Sequence, residues 1–190
     1  VQAQHLIGRT REVDELCDLL PLRRAITVVG PGGVGKTHLV IELAHKVAGD
    51  FVDGAVLCNL EPVDDDSVAD AVAEALGARI QPGMDLIESI VNYLEGRELL
   101  LVLDNCEHVV AAVRELGERI LELKAVRILA TSREPVGFPG EQLFGLHPLA
   151  GIPPGHRAVE LIAIEAEINF VDFAQPIAEG DDHVQQHFVA

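Results

Sequence analysis

The feature that most constrains the fold is an apolar run followed by a glycine-rich turn and a helical pattern. Residues 25–29 read AITVV, which is typical of a buried strand, and residues 30–37 read GPGGVGKT. The apolar residues that follow share one helical face: Leu39, Val40, Leu43, Ala44 and Val47. A strand, a tight turn and a helix in this order predict an α/β unit in which the helix begins beside the end of the strand.

The turn matches the pattern G-x-x-x-x-G-K-[ST], which binds phosphate when it links a strand to a helix. Its glycines let successive N–H groups point at one anion, and the helix N-terminus adds partial positive charge. We therefore predict that Lys36 reaches the β- and γ-phosphates of a nucleotide and that the Thr37 hydroxyl ligates Mg²⁺. The alternative is a chance glycine-rich turn.

The predicted nucleotide-binding residues of this loop are Gly30, Gly32, Gly33, Val34, Gly35, Lys36, Thr37 and His38. For the side chain of His38, which directly follows Thr37, a packing or surface role is favoured over ligand binding.

The remaining chain alternates strand and helix patterns, which predicts a mostly parallel, doubly wound sheet. Further strands are predicted at 54–60, 99–103 and 126–130, with an edge strand at 142–146. Helices are predicted over 11–20, 36–48, 66–76, 85–95, 109–123 and 157–168. Thr10 and Asp66 are the predicted N-caps of the first and third helices.

A carboxylate stands where the third predicted strand ends. Residues 99–104 read LLLVLD, so that five aliphatic residues lead to Asp104. Phosphate loops need such an acid to hold Mg²⁺ through water, and Asp104 is the predicted second metal residue. A strand cap is the alternative. Many ATPases place glutamate directly after this aspartate, whereas this chain has Asn105, which lacks useful basicity; slow hydrolysis is therefore expected. Glu107 is a weaker candidate base, and a helix-start carboxylate is its alternative role.

A cationic residue follows the fourth predicted strand. Residues 127–133 read RILATSR, which places Arg133 at the carboxyl end of a parallel strand, where such sheets bind ligands. There it could contact the γ-phosphate and distinguish ATP from ADP. The alternative is a surface arginine paired with Glu134 or solvent.

The charge distribution excludes one class of function. Residues 51–190 carry eight Lys/Arg against 25 Asp/Glu and so account for the net charge of −17. Such a surface repels a nucleic-acid backbone, so direct nucleic-acid binding by this segment is not expected. The absence of a long apolar run and of a signal-peptide pattern at the start predicts a cytoplasmic protein without membrane contact. Cys17, Cys58 and Cys106 lack disulfide or zinc spacing and are predicted to be buried thiols.

Together the motifs resemble the STAND-class P-loop ATPases. They occur in this order: Ile7-Gly8-Arg9, GPGGVGKT, LLLVLDNCEH, RILATSRE, Gly140-Glu141 and Leu146-His147-Pro148-Leu149. The chain is most similar to the NB-ARC-like nucleotide-binding modules of large bacterial LuxR/AfsR-type transcriptional regulators. The resemblance covers about residues 5–165 and implies a three-layer P-loop NTPase sandwich with sheet order 5-1-4-3-2.

The resemblance also implies a division of the chain and a set of roles. Residues 1–24 would carry the adenine-flanking Ile7-Gly8-Arg9 and a helix, 25–150 the nucleotide-binding domain, and 151–190 an incomplete helical segment with an acidic tail. Arg133 would be the first sensor of a switch that is closed with ADP and open with ATP. The implied partners are other domains of a larger regulator, with nucleotide-dependent oligomerisation. The family's Gly-Leu-Pro-Leu motif and winged helix are not found before Ala190.

Two other functions remain open at this stage. A P-loop kinase or phosphotransferase needs an arginine-rich lid, but residues 133–190 contain only Arg133 and Arg157. A scaffold that has lost nucleotide binding is the other alternative, against which the intact loop argues.

Overall fold

The fold is built on a single sheet, and the predicted phosphate loop, Asp104 and Arg133 all lie at the carboxyl ends of its strands. The computed structural model describes residues 8–79 and 83–148. The strands are β1 Ala25–Val29, β2 Ala55–Asn59, β3 Leu100–Asp104, β4 Arg127–Ser132 and β5 Gln142–Gly145. The helices are α1 Thr10–Leu19, α2 Lys36–Val47, α3 Val68–Leu76, α4 Leu86–Leu94 and α5 Val110–Ile120. Short 3₁₀ turns occupy Ala48–Asp50, Asp65–Ser67 and Cys106–His108.

The five strands pair in the order β2-β3-β4-β1-β5, and all four pairings are parallel. This is the order 5-1-4-3-2 that the resemblance implied, and it is confirmed, as is the position of β5 at an edge of the described sheet. Because β4 lies between β1 and β3, the loop after β1 and the acid ending β3 face each other across the end of β4.

Helices cover both faces of the sheet, which gives the predicted three layers. On one face, α1 and α2 pack against Ile26, Val28, Leu100, Val102 and Leu129. On the other face, α3, α4 and α5 pack against Val56, Leu101, Leu103, Ile128 and Ala130. The consecutive apolar residues of β3 thus supply both cores in alternation, as expected for a strand that is buried on both sides.

Two predicted helix caps are wrong. Thr10 is the first residue of α1, and the N-cap position is occupied by Arg9, whose side chain does not cap the helix and instead bonds elsewhere in the fold. Asp66 lies within a 3₁₀ turn that Asp64 caps by accepting from the Ser67 N–H, at 3.1 Å, and the N-cap residue of α3 is Ser67. The predicted helix over 157–168 and the segment 151–190 lie outside the described residues.

The cysteines are free thiols whose burial differs from one to the next. Cys58 and Cys106 are buried as predicted, whereas Cys17 on α1 is only half-buried. Burial raises the pKa of Cys58 to about 12, so this thiol stays protonated and unreactive at neutral pH. Within the described residues, no helix has the length and apolar character required to cross a bilayer.

A glycine inside α5 is required by packing, which the helical pattern did not indicate. A Cβ built on Gly117 would lie 2.2 Å from Cε1 of Phe138, a buried ring in the loop between β4 and β5. We expect Gly117→Ala to destabilise the domain by about 1–3 kcal/mol through overpacking, despite the better helix propensity of alanine. Urea unfolding measures this change.

The control is Gly49→Ala. A Cβ at Gly49 meets no described atom within 4 Å, so this substitution should be neutral or slightly stabilising. A Gly117→Ala domain that is as stable as the parent would contradict the packing account.

Candidate nucleotide-binding site

The predicted site residues meet at the carboxyl edge of the sheet. In the strand register, Asn59 of β2 pairs with Asp104 of β3, and Val29 of β1 pairs with Ser132 of β4. The loop that follows β1, the acid that ends β3 and the arginine that follows β4 therefore lie side by side. Parallel sheets place ligand sites at this edge.

The loop after β1 has an open, curled backbone. Gly33 and Gly35 adopt positive φ angles of 73° and 95°, which favour glycine, and a Cβ on either would meet no described atom within 4 Å. Gly30 is restricted for a different reason, since a Cβ there would lie 2.6 Å from the carbonyl oxygen of Leu146. The start of the loop at Gly30 is thus packed against the chain that leaves β5, while its crest, Gly33–Gly35, has open space at both glycines.

Lys36 is the first residue of α2, and its side chain turns back over the loop. Its Nζ donates to the carbonyl oxygens of Gly30 and Pro31, at 3.0 and 3.3 Å. The residue is 7% exposed, and burial lowers the pKa of its ammonium group, an effect that the nearby carboxylate of Glu107 opposes. A phosphate at the loop would relieve that cost by supplying negative charge.

Asp104 lies at the centre of a polar network. Its Oδ1 accepts hydrogen bonds from the hydroxyls of Thr37, at 3.1 Å, and Thr131, at 2.5 Å. Burial raises the pKa of this carboxyl, while the two hydroxyl donors and Lys36 act in the opposite direction. The two predicted metal residues are therefore in direct contact, and a divalent cation would offset the cost of burying the charge.

Asn105 is held in place by the same network. It has a left-handed backbone with φ 63°, which asparagine tolerates, and its N–H donates to Oγ1 of Thr131 at 2.9 Å. Its amide nitrogen donates to Asp104 Oδ2 at 3.2 Å and to Asn59 Oδ1 at 3.4 Å. The side chain next to Asp104, the predicted metal residue, is thus bound to its neighbours and brings no basic group.

Arg133 and Glu107 form an ion pair beside the loop. Arg133 Nε donates to Glu107 Oε1 at 3.0 Å, so its partner is Glu107. The guanidinium lies along the loop, because a Cβ on Gly32 would be 3.4 Å from its Nη2. The other carboxylate oxygen of Glu107 is buried and finds no hydrogen-bond partner among the residues that the structure describes.

Glu141 organises the loop that carries Arg133, a role that sequence reasoning missed. Its Oε1 accepts from Oγ1 of Thr27 at 2.6 Å and from the Val136 N–H at 3.1 Å, and Gly137 donates to both oxygens. Thr27 lies in the middle of β1, so this carboxylate joins the loop to the central sheet. The sequence contained the Gly140-Glu141 motif but not these partners, which are far away along the chain.

The predicted adenine-flanking segment is only partly described. Ile7 lies outside the described residues, and Gly8 has a positive φ of 89°. Arg9 is buried, and its guanidinium bonds Glu12, Val34 and His147. His38 is half-buried, and its Nε2 has no hydrogen-bond partner within the described part of the chain.

These residues fit a nucleotide with Mg²⁺. The loop offers main-chain N–H groups around glycines whose missing side chains leave its crest open, and Lys36 stands over it. Thr37 and Asp104 present a hydroxyl and a carboxylate oxygen 3.1 Å apart, which is the hard oxygen chemistry that Mg²⁺ prefers.

A comparison with protein families agrees with this geometry. The model of the family described as AAA domain matches residues 22–138, which is more than half of the chain. The chain belongs to the AAA domain family. It is a P-loop ATPase domain, and the matched region contains the loop, Asp104 and Arg133.

The similar curated proteins are bacterial. An uncharacterized protein of Mycobacterium tuberculosis is 34% identical over 170 residues, which are 88% of this chain and 42% of that protein. A protein of the same species named "Putative HTH-type transcriptional regulator" is 41% identical over 125 residues, 65% of this chain and 14% of its own length. The regulatory protein AfsR of Streptomyces coelicolor is 30% identical over 57% of this chain and 13% of its length.

The AAA domain thus spans less than half the length of these relatives. Two of these relatives are named as regulators, which agrees with the resemblance to bacterial regulators that the motifs indicated.

Solved structures show the same fold at low sequence identity. Cdc6p of Pyrobaculum aerophilum aligns with a TM-score of 0.60 and 17% identity over 77% of this chain and 47% of that one. A Walker-type ATPase of Pyrococcus abyssi aligns with a TM-score of 0.50 and 11% identity over 74% of this chain and 54% of that one. These likenesses establish the architecture of the AAA domain.

Proposed function

We propose that this AAA domain is an ATP/ADP-binding switch within a larger cytoplasmic regulator. The observation that carries the proposal is the 3.1 Å contact between Thr37 Oγ1, which directly follows the glycine-rich loop, and Asp104 Oδ1. A bound Mg²⁺ would neutralise phosphate charge at this point, held by Thr37 and, through water, by Asp104.

The other side chains have distinct tasks in this proposal. Lys36 would exchange its bonds to the Gly30 and Pro31 carbonyls for bonds to the β- and γ-phosphates. Arg133 lies against Gly32 and could leave Glu107 for the γ-phosphate, which makes its position sensitive to ATP. Ile7, Gly8 and Arg9 would border the adenine.

We further propose that hydrolysis is slow. Asn105 has no basic group, and its amide already bonds Asp104 and Asn59. Glu107 is the remaining candidate base, but one of its oxygens accepts from Arg133. A domain that holds ATP for long periods suits a switch better than a metabolic enzyme. Similarity to AfsR and to an HTH-type regulator supports the regulatory assignment, with further domains and nucleotide-dependent oligomerisation expected in the full protein.

Equilibrium binding of ATP and ADP to the purified chain, with and without Mg²⁺, tests this function. We expect both nucleotides to bind and Mg²⁺ to strengthen ATP binding. Failure of both nucleotides to bind at millimolar concentration would contradict the proposal. Turnover of many ATP molecules per second with a small acceptor would contradict the switch.

Arg133→Ala should weaken ATP binding by about tenfold while changing ADP binding little, because a charge-assisted hydrogen bond to the γ-phosphate is lost only for ATP. Competition against a fluorescent nucleotide measures both affinities. Arg11→Ala is the control, since Arg11 is 88% exposed and pairs with Glu15 on the surface of α1. Equal losses for ATP and ADP in the Arg133 variant would remove its role as a sensor.

A further inference from the structure

Arg9 joins three parts of the chain that are distant in sequence. Its Nη2 donates to the carbonyl oxygen of Val34 in the phosphate loop, at 3.1 Å, and to that of His147 beyond β5, at 2.8 Å. Its Nη1 donates to Glu12 Oε1 at 2.7 Å, and the Arg9 side chain is only 6% exposed. Such a planar cation with several fixed donors is suited to bridging acceptors of this kind.

The bond to Val34 acts on the phosphate loop itself. The Val34 carbonyl and the Gly35 N–H belong to one planar trans peptide, so they point in opposite directions. A cation that fixes the carbonyl also fixes the direction of the Gly35 N–H and polarises it. Gly35 is the N-cap residue of α2, with φ 95°, and its N–H belongs to the set predicted to face phosphate.

The bond to His147 extends the connection to the edge of the sheet. The preceding residue, Leu146, donates its N–H to Val29 O at 2.8 Å, and its own carbonyl oxygen limits the space at Gly30. The chain that leaves β5 therefore contacts the loop directly, and the Arg9 guanidinium adds hydrogen bonds to both of them. Since the loop is expected to adjust when phosphate binds, a change in it would reach His147 through this guanidinium.

We propose that Arg9 is a positioning residue that orients the Val34–Gly35 peptide for phosphate and couples the loop to the chain leaving β5. The inference rests on the proposed nucleotide binding. It concerns the Arg9 guanidinium and the loop, and it is independent of the proposed contact between the backbone of residues 7–9 and the adenine. Arg9 acts on the part of the site that ATP and ADP share, so its loss should weaken both nucleotides, whereas loss of Arg133 should weaken mainly ATP.

The direct test uses the nucleotide-free domain. Arg9→Met keeps much of the aliphatic length but removes the donors, and Arg11→Met on the exposed face of α1 is the matched control. An HNCO spectrum correlates the Gly35 amide with the Val34 carbonyl carbon. We expect both signals to shift in Arg9→Met and to stay in place in Arg11→Met. Unchanged Gly35 and Val34 signals in a folded Arg9→Met domain would overturn the proposal.

The second arm measures affinity. Arg9→Met should weaken ATP and ADP to a similar degree, by roughly tenfold, as expected for the loss of a charge-assisted hydrogen bond that positions the loop. Arg9→Lys keeps the charge near Glu12 but has a compact ammonium, and it should recover only part of the affinity. Full affinity in either variant would contradict the bridge.

The same spectra also test the coupling between the phosphate loop and His147. Added Mg·ADP should shift the His147 amide in the parent domain and shift it less in Arg9→Met. An equal shift in both would contradict the coupling. If the parent domain binds no nucleotide, the proposed function fails, while the nucleotide-free spectra still decide whether Arg9 orients the loop.

Discussion

Lys36→Ala is expected to reduce affinity for ATP by roughly a hundredfold or more, and affinity for ADP, which lacks the γ-phosphate, by about tenfold or more. The side chain would supply charge-assisted hydrogen bonds to both terminal phosphates, each worth about 1.5–3 kcal/mol. Its present partners, the Gly30 and Pro31 carbonyls, show that Nζ already lies over the loop, so little rearrangement is needed. Isothermal titration calorimetry with Mg·ATP and Mg·ADP measures the loss.

The domain should remain folded after this substitution. Burial lowers the pKa of Lys36, which means that the fold bears a cost for the charged form, and removing it need not destabilise the nucleotide-free domain. Lys46→Ala is the matched control, because Lys46 lies on the same helix but pairs with Asp14 at the surface. If Lys36→Ala binds both nucleotides as tightly as Lys46→Ala does, the assigned phosphate site is wrong.

Asp104→Asn is expected to remove most of the strengthening of ATP binding by Mg²⁺. The amide oxygen can still accept from Thr37 and Thr131, whereas the hydrogen bond that Asn105 donates to Oδ2 is lost together with the negative charge that attracts the cation. Asp104 would hold the metal through water, and loss of such an outer partner lowers metal affinity by about tenfold to a hundredfold.

The measurement is ATP affinity in EDTA and in excess Mg²⁺. The parent domain should show a clear difference between the two conditions, and Asp104→Asn should show a much smaller one. Asp14→Asn, which alters an exposed carboxylate on α1, should behave like the parent. An undiminished Mg²⁺ effect in Asp104→Asn would place the metal elsewhere.

The parts of the site that the sequence predicted are those encoded by short segments. The strand, loop and helix around Lys36 are contiguous, and Asp104 follows directly from an apolar run. That the loop and Asp104 lie close together could also be predicted, because parallel strands place their carboxyl ends at the same edge of the sheet.

The contacts that the sequence did not predict join distant segments. The carbonyl that Arg9 binds at His147 is 138 positions away, and Thr27 and Glu141 are 114 positions apart. Nothing in the local pattern around Thr131 indicated that its hydroxyl would bond Asp104. Such pairings depend on the completed tertiary structure and carry no periodic signal.

The wrong caps have a local cause. Asp64, Asp65 and Asp66 are consecutive and chemically equivalent, so residue type alone could not select the one that caps. Asp64 is the one that caps the 3₁₀ turn, where its carboxylate accepts from the Ser67 N–H, and α3 begins only after Ser67. At the first helix the turn begins one residue earlier than predicted, so that Arg9 is the N-cap residue and Thr10 the first helical residue.

The ion pair between Glu107 and Arg133 changes how two predicted roles are related. The sequence suggested a weak base and an independent sensor, whereas the structure joins them at 3.0 Å. In the proposed switch, a γ-phosphate that draws Arg133 away would also free Glu107 Oε1. Recognition of ATP and access to the candidate base would then be linked.

The most direct test of the central claim is a crystal structure of the domain with Mg²⁺ and a non-hydrolysable ATP analogue. Our account predicts terminal phosphates on the main-chain N–H groups of residues 33–37, with Lys36 Nζ on the β- and γ-phosphates. The metal should contact Thr37 Oγ1 and lie one water away from Asp104. Phosphates bound away from this loop, or a metal distant from both residues, would contradict it.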